Sequence, residues 1–340
     1  MQAEAEQQRP HATDGERAGY DVVVAGGGPA GLSAALVLAR ARRRVAVVDA
    51  GEPRNAPAAR VRGFLTRDGT PPADLRERGR AEVAGYGVDL VDGRVEDARP
   101  VGAPDGPGGP GFLVRVAGGP VLRARRLLVT TGLRDELPPV PGVRERWGRE
   151  VLHCPYCHGY EVRDQPLGVL GTHPDAVRQA LLVREWSADV VLFPHLLDLS
   201  AEGRERLAAR GVRLAPGAVE RLVVEDGRLR GVELAGGRTV PRSAVFVQPR
   251  MVPRDELLTR LGCPVDEQGL VRTDPRGFTG VPGVWAAGNA VDRYVQVINA
   301  AAQGSAAAMG LHHDLVAEET DRAVAALRST GDEGAAVAVG

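Results

Sequence analysis

Cys154 and Cys157 stand two residues apart in the stretch His153-Cys154-Pro155-Tyr156-Cys157-His158-Gly159-Tyr160-Glu161. At this spacing the two sulfurs can close a small disulfide ring and open it again. The thiolate is the reactive form, and a Cys-x-x-Cys arrangement commonly lowers the pKa of one thiol. His153, directly before the first cysteine, and His158, directly after the second, are candidate proton carriers. Two plainer readings stand beside the redox one: half of a zinc site, or a pair of inert buried thiols. A structural zinc site needs four ligands, usually from two such pairs. The only other cysteine is Cys263, over a hundred residues on and followed by Pro264. His153 and His158 could complete a site on paper, but at this spacing the geometry is cramped. The stretch is expected to be redox-active, with no metal.

Composition narrows the chemistry further. The chain has 340 residues, 43% hydrophobic, enough for two domains. Its net charge of −1 offers nothing to nucleic acid or to an acidic membrane surface. There is no lysine; every basic residue is arginine. Pyridoxal chemistry and Walker-type nucleotide hydrolysis both need a lysine and are excluded. No apolar run reaches the roughly 18–20 residues that cross a bilayer. Three cysteines are too few for a secreted disulfide scaffold, and residues 1–18 lack the apolar core of a signal peptide. The protein is expected in the cytoplasm, where such a cysteine pair is more often catalytic than structural.

The sulfurs need elements to hold them. A strand over Tyr20-Asp21-Val22-Val23-Val24-Ala25 runs into Gly26-Gly27-Gly28-Pro29-Ala30-Gly31. Helical spacing follows from Leu32 to Arg42, then an apolar strand Val45–Val48 that ends in Asp49. Strand, glycine turn, helix, strand and acid make the dinucleotide-binding unit. Gly26 permits the tight turn, Gly28 lets backbone approach a pyrophosphate, and Gly31 lets helix and strand pack closely. The helix N-terminus presents N–H donors and its positive end. Asp49 sits where a carboxylate takes ribose hydroxyls.

Residues 51–75 form a Pro/Arg-rich loop region beside the nucleotide. Short strands are expected at Leu113–Val116 and Val121-Leu122, with a flexible hairpin tip over 100–111. Leu127 to Gly132 is a buried strand ending in Thr131-Gly132, and 133–148 is a linker. After the cysteines a second strand–turn–helix–strand unit covers Leu167–Gly171, Ala176–Trp186 and Asp189–Phe193. Gly283 to Asn289 is a strand into a turn, and Val297–Leu315 an alanine-rich helix whose N-terminus could face an electron-accepting ring.

These motifs, in this order from about Tyr20 to Leu315, resemble the low-molecular-weight thioredoxin reductases. The resemblance implies an α/β fold of two Rossmann-like dinucleotide-binding domains, the second inserted into the first. Residues 19–133 and 249–328 would form the FAD domain and 134–248 the inserted NAD(P)-type domain, with tails at 1–18 and 329–340. It implies FAD, a homodimer, and the disulfide facing the isoalloxazine ring. The residues carried over for the flavin are Gly26, Gly28, Pro29, Ala30, Gly31, Asp49, Arg54, Asn55, Thr131, Gly132, Gly288, Asn289, Gln296 and Val297.

The departures matter as much. Thioredoxin reductases carry an acid after the second cysteine; here it is His158. Their second glycine turn and an arginine-rich strand end hold NADPH. Here the turn is Gly171-Thr172-His173-Pro174-Asp175-Ala176, and the strand end Phe193-Pro194-His195-Leu196-Leu197-Asp198 has no arginine. Pro174 removes an N–H donor. NADPH is not expected. The Cys-Pro-Tyr-Cys-His-Gly-Tyr-Glu stretch behind a histidine is most similar to the flavin-dependent dithiol oxidases of natural-product pathways, such as the gliotoxin and holomycin enzymes.

That branch implies a small-molecule dithiol as substrate and O2 as electron acceptor. A substrate thiolate attacks the Cys154–Cys157 disulfide, the second thiol closes the product, and the electrons leave through FAD to oxygen. By analogy Cys154 faces substrate and Cys157 the flavin. His153 is the candidate base, and Asp292 a candidate to orient it. An NAD(P)H-dependent disulfide reductase and a non-enzymatic flavin-binding protein remain as alternatives.

Overall fold

The computed structural model describes residues 19–102 and 111–337, with side chains as far as Ser329. The tail expected over 1–18 and most of the hairpin tip lie outside the described residues.

The chain opens with β1 (Tyr20–Ala25), α1 (Pro29–Arg40), β2 (Val45–Asp49), α2 (Pro72–Gly85) and β3 (Asp89–Asp92). A meander follows: β4 (Val95–Val101), β5 (Gly111–Val116) and β6 (Val121–Val129). Then come β7 (Leu133–Glu136), α3 (Val143–Arg146), β8 (Val151–Leu152), α4 (Pro155–His158), β9 (Leu167–Leu170), α5 (Ala176–Val183), β10 (Val190–Phe193), α6 (Ala201–Ala209) and β11 (Arg213–Leu214). A small meander of β12 (Val219–Glu225), β13 (Arg228–Leu234) and β14 (Thr239–Pro241) precedes β15 (Ala244–Val247) and β16 (Arg250–Pro253). The chain closes with α7 (Glu256–Arg260), β17 (Val284–Ala286) and α8 (Val297–Val337).

The first sheet runs β3-β2-β1-β6-β5-β4, and β17 joins it by pairing with β6. β1 lies between parallel β2 and β6, and its six residues are all buried. Val22 and Val24 enter the core under α1 and α8, while Val23 and Ala25 enter the core on the other face. Burial on both faces is why this strand is a continuous apolar run. The second sheet runs β11-β10-β9-β15-β8 with parallel pairings, so β8 at its edge delivers the cysteine stretch. The antiparallel pair β7–β16 joins the chain segments entering and leaving this second unit.

Four expectations change. The strands expected at Val121-Leu122 and from Leu127 are one strand, exposed on alternate residues at its start and buried on both faces at its end. The linker over 133–148 contains β7 and α3. α2 arises within a stretch without a clear apolar face; of its fourteen residues only Val83 is buried. The last helix continues past Leu315 to Val337, through much of the expected second tail. Ion pairs hold its middle to β6 and to the turn ahead of β2. Arg43 grips Glu319 with both nitrogens at 2.6 and 3.0 Å, Arg125 meets Glu318 and Glu319, and Arg126 meets Asp314 and Glu318. Near its start, α8 presses on α1: a Cβ on Gly304 would lie 2.0 Å from the Ala30 carbonyl oxygen.

Candidate active site

The cysteine stretch forms a single helical turn. Pro155 starts it, and the Cys154 carbonyl accepts from the N–H groups of Cys157 and His158 at 3.1 Å. Gly159 ends it against Trp186; a Cβ there would sit 2.7 Å from the indole. Both sulfurs are in the thiol form, and the Gln296 side-chain nitrogen, just ahead of α8, is 4.0 Å from each. Gln296, carried over as a flavin residue, therefore faces the sulfurs with its side chain.

The two thiols titrate as a pair. The Cys157 S–H donates to Cys154; burial opposes ionisation, but the N–H groups of Cys157 and Tyr156 and the Gln296 amide add to the first bond. Together they lower Cys154 to about 7. Donating its proton, burial and the Cys154 negative charge push Cys157 far above the ordinary thiol range, offset in part by Arg54. One thiolate near neutrality is what disulfide exchange needs. The reduced pair should be alkylated by iodoacetamide with a midpoint at about pH 7. Gln296→Leu should move that midpoint upward. A midpoint near the ordinary value of 9.0 would discard the shared-proton arrangement.

His153 leaves the end of β8. Phe246 of β15 pairs with Leu152 of β8, so the residues just beyond both strands emerge side by side. There the His153 Nε2 meets the Gln248 Oε1 at 3.1 Å. The oxygen can only accept, so Nε2 carries the proton and Nδ1 is left as a base. From α5, the Gln179 Nε2 donates to the His153 carbonyl at 3.2 Å. Burial first, then the Arg54 charge, hold His153 below its usual pKa, with Asp135 and Gln248 pulling the other way. Arg54 itself is gripped bidentately by Asp135 at 2.8 and 2.9 Å. His158 is also lowered, chiefly by burial.

Asp292 does not join this group. Its carboxylate accepts the Tyr294 N–H at 3.0 Å and lines a separate depression with Gln268 and Asp274. The residue that orients His153 is Gln248. Its distance in sequence hides it; the only signal is its place at the end of an apolar strand. Asp135, Gln179 and Thr130 are missed likewise. Thr130, beside the expected Thr131, donates to the Gly26 carbonyl at 2.8 Å and locks the glycine turn, whereas Thr131 donates to the Arg254 carbonyl at 2.5 Å.

One cavity of about 530 Å³ runs from the glycine turn to the sulfurs, within the usual range for a ligand site. Gly26, Gly28, Pro29, Ala30, Asp49, Arg54, Asn55, Thr131, Gly132, Gly288, Asn289, Gln296 and Val297 all line it; Gly31 does not, serving instead in the turn. A Cβ on Gly31 would lie 1.9 Å from the Gly26 carbonyl oxygen, and one on Gly27 would lie 2.7 Å from the Asp49 carboxyl carbon. Gly28 opens onto space, with nothing within 4 Å of its Cβ position. The turn thus presents bare backbone at the head of α1, and Asp49 stands behind it beside Arg76 at 3.2 Å. These residues fit FAD: N–H donors for a pyrophosphate, a carboxylate for ribose hydroxyls, and Gln296-Val297 beside the sulfurs for the ring. Among the described residues no cluster of three or more His, Cys, Asp or Glu could hold a metal. No helix among them is long and apolar enough to cross a membrane.

Comparison with known proteins agrees with this geometry. The family model for pyridine nucleotide-disulphide oxidoreductases matches residues 20–304. The crystal structure of HlmI is 60% identical with a TM-score of 0.89, over 92% of this chain and 97% of that one. An oxidoreductase from Agrobacterium tumefaciens is 35% identical with a TM-score of 0.81, over 88% of this chain and 99% of that one. The thioredoxin reductase sirT of Leptosphaeria maculans is 30% identical over 86% of this chain and 93% of its own length. The chain belongs to the pyridine nucleotide-disulphide oxidoreductase family, as a thioredoxin reductase-like flavoprotein.

Proposed function

We propose that the protein is an FAD-dependent dithiol oxidase that closes an intramolecular disulfide in a small-molecule dithiol, with oxygen as the final acceptor, and that it works as a homodimer. The observation that carries this reading is the juxtaposition, in one cavity, of a half-buried histidine held below its usual pKa with a sulfur pair that shares a proton. Catalysis starts from the Cys154–Cys157 disulfide. His153 Nδ1 takes a substrate thiol proton, and the thiolate attacks the Cys154 sulfur. The S–S bond breaks, leaving a mixed disulfide on Cys154 and a thiolate on Cys157. The second substrate thiolate attacks the bonded substrate sulfur, closes the product and expels Cys154. A thiol of lowered pKa leaves faster, which suits Cys154 to that step. FAD, held by the glycine turn, Asp49 and the Gln296-Val297 segment, would supply the two-electron acceptor for the reduced pair, with oxygen as the final acceptor.

The second nucleotide turn supports the same reading. His173 turns its own Nδ1 onto the Asp175 N–H at 3.2 Å. His195, in the left-handed conformation, accepts the Val219 N–H at 2.9 Å. In the glycine turn the His173 ring thus occupies a backbone N–H that a dinucleotide phosphate would otherwise engage. The competing reading, an NAD(P)H-dependent disulfide reductase, is favoured by relatives bearing the name thioredoxin reductase. Anaerobic stopped-flow absorbance separates the two. A suitable small dithiol should bleach the yellow protein, and oxygen should restore the colour with formation of peroxide. NADH and NADPH should not bleach it at a useful rate. Rapid bleaching by NADPH, with no response to any dithiol, would return the protein to the reductases.

A further inference from the structure

Asn289 lines the cavity, but its amide nitrogen is committed to the loop that follows it. The Nδ2 donates to the Asp292 carbonyl at 2.9 Å and lies 3.4 Å from the carbonyls of Arg293 and Val295. Only a nitrogen can face three carbonyl oxygens, so the orientation of this amide is fixed. The segment 292–295 is thus wrapped around one side chain. Its ends are pinned separately. The Gly288 N–H donates to the Gln303 Oε1 of α8 at 2.9 Å, and the Ala300 N–H donates to the Gln296 carbonyl at 2.9 Å. Gly288 itself has φ +73°, and a Cβ there would lie 3.0 Å from the Ala30 Cβ, so the loop begins with a turn that suits glycine.

This loop delivers Gln296. The Gln296 Nε2 is 4.0 Å from the sulfur of Cys154 and 4.0 Å from that of Cys157. Its Oε1 is turned to Gly63, 3.7 Å from where a Cβ would stand. The sulfurs sit on the turn after β8, whereas Gln296 stands just ahead of α8, so their distance depends on where the loop ends. An aspartate at 289 would keep the shape but set an acceptor against three acceptors. A leucine would leave the three carbonyls without this donor.

We propose that Asn289 is a positioning residue: by holding the carbonyls of 292–295 it sets Gln296 against both cysteine sulfurs, and an amide is needed there rather than a carboxylate. The proposal requires a redox-active pair and holds equally for an oxidase and for a reductase, so its test reads the thiol and not turnover.

The Gln296 amide acts on Cys154 after the Cys157 S–H and two backbone N–H groups, and against burial, in lowering that thiol to about 7. The test is iodoacetamide alkylation of Cys154 in FAD-loaded, anaerobically reduced protein, followed by peptide mass spectrometry from about pH 5 to about pH 9. The variants are Asn289→Asp and Asn289→Leu, each with and without Gln296→Leu. Asn289→Asp preserves the side-chain shape and, once ionised, has no donor. Each single variant should raise the alkylation midpoint and slow the reaction at about pH 6 by about threefold to tenfold, the range of one hydrogen bond. On the Gln296→Leu background the same substitutions should change the rate by less than about 1.5-fold, because residues acting through one another are not additive. An unchanged midpoint in both single variants overturns the proposal. So does an equal fall on the Gln296→Leu background, which would mean that Asn289 acts by loosening the cavity as a whole. Loss of the flavin from variants whose Cys154 still alkylates at the wild-type midpoint also overturns it, since Asn289 would then serve the cofactor alone.

Discussion

Cys154→Ser and Cys157→Ser are each expected to reduce dithiol turnover by about 10³-fold or more, the scale seen when a catalytic nucleophile is removed. An oxygen in place of either sulfur can neither form nor break the exchanging S–S bond. Both variants should stay yellow, because the glycine turn, Thr130 and Asp49 that shape the flavin end belong to other elements. The surviving thiol gives a second readout. In Cys157→Ser, Cys154 loses the S–H donor that contributes most to its lowered pKa, so its alkylation midpoint should rise above about 7. In Cys154→Ser, Cys157 loses the thiolate that holds its proton on, so its midpoint should fall back toward the ordinary value. Turnover retained in either variant, or loss of the flavin from both, would remove the pair from the chemistry.

His153→Ala should lower kcat/KM at neutral pH by about 10²–10⁴-fold, the range for a lost general base. The sign of the pH effect follows from the burial that lowers the His153 pKa. A base works when unprotonated, so the wild-type rate should hold down to below the usual histidine value of 6.5. Without the imidazole, substrate thiols must ionise unaided at about 8.5, and the profile should move to alkaline pH. Gln248→Leu should produce a smaller loss in the same direction, because it frees the ring without removing it. A His153→Ala protein with normal turnover at neutral pH would leave the residue a structural part of the β8 edge.

The parts of this protein that are legible in its sequence are those written locally. Gly26 to Gly31, with a strand before and a helix and acid-ended strand after, carry their own geometry, since the glycines are needed where a Cβ would strike Gly26 or Asp49. The Cys154–Cys157 turn is equally local. What sequence does not give is closure between distant segments. Gln248 reaches His153 because β15 pairs with β8, a register no spacing announces. Asp292 is near the sulfurs only by order of motifs; its own turn claims the carboxylate. α2 escapes notice because its pattern is almost wholly polar, and the continuation of α8 past Leu315 because what grips it there is charge from other elements rather than an apolar stripe.

That charged anchor gives the protein an asymmetric response to protons. The bond from Arg43, with burial opposing and Arg125 adding, lowers Glu319 to about 2 from 4.5. Burial raises Glu318, and the bonds and charges of Arg126 and Arg125 outweigh it. A carboxylate lowered on folding stabilises fully above its unfolded pKa and stops doing so as pH falls through the folded one. The anchoring should therefore weaken between about pH 4.5 and 2, visible as a falling melting temperature that Glu319→Gln blunts. No matching loss occurs on the alkaline side, because every cation in the cluster is a guanidinium and none gives up its proton below about pH 12. A lysine-built cluster would begin to neutralise near pH 10. Exclusive use of arginine thus leaves the helix that follows Gln296 docked throughout the alkaline range in which thiols ionise.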